Sequence, residues 1–191
     1  MTWLVAVLVG LLVFTSLVAF ATPVLRDSLS RLTAWACTGV LAALALFTVA
    51  TGDLTTSGAL FGRVLVIELF VAAVLGGSTV TAAVLWVADR DGTHTGHPMR
   101  DAGEVLRGGI WIGVFERAAV FASLAAGWPE GLAVVLALKG LGRYSELRPG
   151  DPSTRTPSGA GRGVAERFLI GSFASLLWAC ACAGVYLTLV R

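Results

Sequence analysis

Seven ionisable residues lie in or beside strongly apolar stretches, and they set the chemistry this chain can do. Glu68, Glu116, Arg117 and Lys139 interrupt long apolar runs, while Arg143 sits near the end of the Lys139 run and Glu166 and Arg167 near the start of another. A charge in apolar surroundings is stable only when it is paired or hydrogen-bonded. Such groups either neutralise one another between helices or together bind an ion, a proton or an anionic head group. On a helix, Lys139 and Arg143 are four apart and share a face. Glu116 and Arg117 are adjacent, about 100° apart, so they cannot address one partner.

The elements that must position them follow from composition. Of 191 residues, 56% are hydrophobic and 14% charged, against about 25% charged in soluble domains. Mean hydropathy is +0.82. Apolar runs of roughly 18 residues or more read as membrane-spanning helices. Six candidate runs appear, at about 3–24, 32–51, 60–88, 108–127, 129–144 and 164–190, the fifth of them short. The expected fold is an all-α, polytopic transmembrane bundle of about six helices forming one domain. The stretches 89–107 and 145–163 are expected to be loops, the second rich in Gly, Pro, Ser and Thr. The third run is longer than a ~30 Å hydrocarbon core needs, so a tilt or kink is expected at Gly76–Thr79. Between the fourth and fifth runs, Gly127, Trp128, Pro129 and Glu130 predict a tight turn, with Pro129 at the first helical position and Glu130 complementing the positive helix end.

Charge parity sets the orientation. The loops after the first, third and fifth runs carry Arg26, Arg31, Arg90, Arg100, Arg107, Arg148, Arg155 and Arg162; the other side carries Arg63 and Arg191. Cationic loops stay in the cytoplasm, so both termini are expected outside, in a bacterial cytoplasmic membrane. The first run ends in Ala19, Phe20 and Ala21, which resembles a leader cleavage site. It lacks a charged n-region and reads as an uncleaved first helix.

Depth then suggests pairings. Glu116 lies about 12 Å into the fourth run, level with the inner half of the fifth. The expected pairs are Glu116 with Lys139, Glu166 with Arg143, and Arg117 with Glu68. Four such groups facing lipid would cost on the order of 10 kcal/mol, which drives them inward. Gly109, Gly113, Gly171, Ser172 and Ser175 give small faces for close helix approach, and the serines read as packing residues.

Other chemistries find no support. Cys37, Cys180 and Cys182 read as small packing residues; the last two point to opposite faces of a helix. His94 and His97 lie in a Gly- and Thr-rich loop, and no metal is expected there. No phosphate loop, zinc-protease motif or nucleophile elbow occurs, so no cofactor is expected. A net charge of +2 without a basic cluster argues against nucleic acid. The expected partners are the lipid bilayer and, as an open option, further copies of the chain.

Three segments carry a resemblance: 113–117 with Glu116 and Arg117, 137–144 with Lys139 and Arg143, and 165–172 with Glu166, Ile170 and Gly171. Together they resemble the C-terminal half of an uncharacterised family of bacterial multi-pass membrane proteins, a domain of unknown function. That family's motifs are leucine-glutamate-arginine, lysine followed by arginine-phenylalanine, and glutamate-tyrosine followed by leucine-isoleucine-glycine-threonine. Here Phe115 stands for leucine, Tyr144 for phenylalanine, Arg167 for tyrosine, Ser172 for threonine, and Gly140 for a usual serine. The resemblance covers the last third of the chain and implies a membrane protein whose charge set belongs together. It implies no activity.

Three functional classes remain open. One is a transport or channel-like protein with a cytoplasm-facing cavity lined by Glu116, Lys139, Arg143 and Glu166. The second is a non-catalytic scaffold or assembly partner with structural charges. The third is a membrane enzyme acting on a lipid head group.

Overall fold

The structure is a computed structural model and describes residues 2–21, 27–51, 59–90, 109–147 and 160–190. Among these residues it is all-helical, with six helices and no strand: α1 Thr2–Ala21, α2 Asp27–Thr51, α3 Ala59–Arg90, α4 Gly109–Ala125, α5 Glu130–Leu147 and α6 Ala160–Val190. Leu- and Ala-rich runs favour this state. Several helices outlast the apolar runs that announce them. α2 begins at Asp27 and α6 at Ala160, because the backbone ladder continues through polar residues that hydropathy discounts. The histidine loop and the arginine-rich connections lie outside the described residues.

Two segments are long and apolar enough to cross a membrane, Gly62–Ala88 in α3 and Phe168–Leu189 in α6. The described apolar stretches of α1 and α2 are shorter, Val7–Val18 and Leu32–Phe47.

α3 is the central helix and packs against α1, α2, α4 and α6; α5 packs on α4. The inward stripe of α1 is Val5, Val9, Leu12 and Ser16, and that of α2 is Ala34, Cys37, Leu41 and Leu44. Spacings of three and four place each set on one face. They meet Leu65, Leu69, Ala72 and Ala73 of α3, with Phe121, Trp178 and Cys182 closing the core. The outward faces are equally apolar. Val7, Leu11 and Phe14 of α1, Trp35 and Leu46 of α2, and Leu169, Phe173 and Leu177 of α6 are all exposed.

α4 runs antiparallel to α3, since Phe121 meets Phe70 and Arg117 lies against Gly77. α6 is also antiparallel to α3: Trp178 lies against Gly76, and Gly171 against Thr81 and Leu85. The glycine pair does not break the helix. α3 is unbroken from Ala59 to Arg90, and the missing side chains let its neighbours in. A Cβ at Gly76 would lie 2.9 Å from both Ser16 Oγ and Trp178 Cζ2.

The α4–α5 turn forms as expected, with a specific closure. Trp128 N–H donates to Ser123 O (2.8 Å) and Gly127 N–H to Leu124 O (3.0 Å), the paired bonds of a Schellman motif. Gly127 has φ of 76°, a conformation open to glycine at little cost. Pro129 lies one residue before α5 rather than at its first position, and Glu130 is the first residue of the helix.

Candidate functional site

The charges that interrupt the apolar runs gather where α4 faces two ways. Because Glu116 and Arg117 diverge around the helix, one is directed to α5 and the other to α3 and α6.

On the first side, Lys139 Nζ of α5 makes an ion pair and hydrogen bond with Glu116 Oε2. Both side chains are largely shielded, 17% exposed for Lys139 and 12% for Glu116. The ammonium also lies 5.6 Å from the ring centroid of Phe168 on α6, within cation–π range. This is the expected pairing of Glu116 with Lys139. The aromatic cover was not foreseen.

On the second side, Arg117 is only 3% exposed. Nε donates to Val74 O of α3 (2.9 Å) and Nη1 to Ser175 Oγ of α6 (3.2 Å). Nη2 has no hydrogen-bond partner among the described residues. Two glycines make room for the side chain. A Cβ at Gly77 would collide with Arg117 Cδ and lie 2.8 Å from Nε, and one at Gly113 would lie 3.2 Å from Nη1. One turn along α6, Trp178 Nε1 donates to Ala72 O (3.1 Å). Two side-chain donors from α4 and α6 therefore cap carbonyls on a single turn of α3.

The expected pairing of Arg117 with Glu68 does not form. Arg117 lies level with Gly77, nine residues from Glu68, or about 13 Å along α3, beyond the reach of the two side chains. Glu68 is half-exposed and has no ion-pair partner among the described residues. Its alignment with Arg117 failed because both were placed by depth from opposite ends, without the α3–α4 register.

Arg143 follows Lys139 by one turn of α5, and Glu166 and Arg167 fall in the first third of α6. Their side chains, and so the Glu166–Arg143 pairing, lie outside the described residues.

No protein-family model, curated protein or solved structure matches this chain. The geometry alone must carry the functional argument.

Ser175, Trp178, Gly77 and Phe168 belong to the site without having been singled out for it. The signal available for Ser175 was its place one turn from Ser172 on a small-residue face, which fits an acceptor as well as a packing atom. Cys37 and Cys182 are fully buried, and Cys180 is half-buried; all three are free thiols. Cys37 Sγ lies 3.8 Å from Ser16 Oγ, in keeping with packing. Among the described residues, no three His, Cys, Asp or Glu side chains converge as a metal site would need.

Proposed function

We propose that this chain is a polytopic protein of the bacterial cytoplasmic membrane, with six spans and both termini outside. We propose further that it acts as a non-catalytic scaffold or assembly partner whose intramembrane charges hold its helices in register. Support for the membrane placement comes from the two long apolar segments of α3 and α6. The large apolar side chains exposed on all six helices add to it. In water such continuous surface exceeds what soluble monomers tolerate, whereas acyl chains solvate it at no cost. The loop arginines supply the orientation.

The observation that carries the scaffold reading is the Glu116–Lys139 pair. An open transport cavity needs charges free to meet a substrate. Here the two best-placed charges engage each other, under the ring of Phe168. Neutralised pairs of this kind secure one helix packing against alternatives.

Folded yield and liposome flux, measured on the same variants, test the reading. Glu116→Gln and Lys139→Met each leave a shielded charge alone and should cost up to about 3 kcal/mol of stability. The exchange Glu116→Lys with Lys139→Glu should recover most of the folded yield. Flux through wild-type liposomes that Lys139→Met abolishes, with folded yield intact, would overturn the scaffold reading in favour of transport.

A further inference from the structure

Glu68 lies well inside the long apolar run of α3 without an ion-pair partner among the described residues, and its own helix carries the complementary cation. Near the outer end of α3, Leu65, Leu69, Ala72 and Gly76 are buried in the fold. At 100° per residue these positions share one face. The opposite face is centred on Val64, Ile67 and Val71. Val64 is 46% exposed and Ile67 62%, and Val71 is half-exposed. This stripe has spacings of three and four, the a, d and a positions of a heptad. Arg63, which is exposed, and Glu68 lie at its two edges.

Arg63 precedes Glu68 by five residues. In a parallel two-stranded coiled coil, g of one helix pairs with e of the other, five residues further on. With Val64 at a and Ile67 at d, Arg63 is g and Glu68 is e. The two edges are about 140° apart around one helix, so the pair cannot close within a chain at the stripe. Across a two-fold axis it closes twice, since Arg63 of each copy meets Glu68 of the other. An isologous contact of this kind uses one patch on both subunits.

We infer that the outer end of α3 is a homodimer interface in which a second copy of this chain packs Val64, Ile67 and Val71 against their equivalents and pairs Arg63 with Glu68 reciprocally. The inference rests on the proposal that α3 spans the membrane. A parallel pairing requires both copies to share one orientation, which insertion into one bilayer supplies. Burial of Glu68 beside a cation also removes an unpaired carboxylate from the lipid boundary.

Disulfide trapping in native membranes, on the full chain, tests it. Ile67→Cys places a thiol at the d position, and Leu46→Cys, on α2 and 72% exposed in the wild type, serves as the off-interface control. The Ile67→Cys dimer should exceed the Leu46→Cys dimer at least tenfold under mild oxidation. In the Ile67→Cys background, Arg63→Glu and Glu68→Arg should each cut cross-linking about tenfold, and the two together should restore it. Equal cross-linking at Ile67→Cys and Leu46→Cys, or no recovery in the double exchange, would overturn the interface. Alkaline carbonate extraction of the same membranes reads the spanning proposal separately. Protein retained in the pellet without Ile67→Cys cross-linking defeats the dimer alone, whereas protein released to the supernatant defeats the membrane reading.

Discussion

At the scale of single residues, two adjacent side chains on α4 meet different solutions to the same physical problem. Glu116 is matched by a mobile, compact cation on α5. Arg117 is matched by fixed acceptors, the Val74 carbonyl and the Ser175 hydroxyl. A planar guanidinium can donate in several directions at once, which suits a junction of three helices. Its seat depends on atoms that are missing at Gly77, and this separates two glycines that look alike in sequence. Gly77→Ala would drive a methyl into Arg117 Cδ and should cost about 1–3 kcal/mol. Gly171→Ala meets Leu85 at 3.5 Å, ordinary contact, and should be near neutral. Thermal melting in detergent compares the two, and Arg117→Ala in the Gly77→Ala background should recover part of the loss. The Glu116–Lys139 pair was legible because it needs only depth along a hairpin closed by a four-residue turn. The Arg117 seat was not, because its main acceptor is a backbone carbonyl, which every residue possesses and no sequence advertises.

At the scale of elements, the α4–α5 hairpin is the part most firmly written in the sequence. Gly127 at the left-handed position, Pro129 before the next helix and Glu130 in its first turn each have one natural place. Gly127→Ala should cost about 1 kcal/mol and loosen the hairpin. Faster amide exchange at Trp128, whose N–H bonds Ser123, would register it. No change in protection there would count against the motif's role. α3 shows the opposite case. Its length and its glycine pair suggested a tilt or a kink, and the same pair serves as a landing site for Trp178 and Arg117. Close approach and flexibility draw on the same residue type, and only the neighbouring helices distinguish them.

At the scale of the whole molecule, hydropathy supplied the helix count and all-helical class but could not separate outward-facing from core-facing sides. α1 and the Phe168–Leu189 segment of α6 are apolar all round, so periodicity carries little information there. Packing around α3 assigns the faces instead: Val9 and Leu12 inward, Leu11 and Phe14 outward. On the membrane reading proposed above, acyl chains cover that outward surface, which water would solvate poorly. The same argument explains why the buried charges must be settled among the helices themselves. Labelling with a membrane-impermeant thiol reagent probes the six-span arrangement most directly, with cysteines placed between α2 and α3 (Ser57→Cys) and between α5 and α6 (Ser158→Cys). In intact cells Ser57→Cys should react and Ser158→Cys should react only after permeabilisation. Reaction of Ser158→Cys in intact cells, or protection of Ser57→Cys, would contradict it.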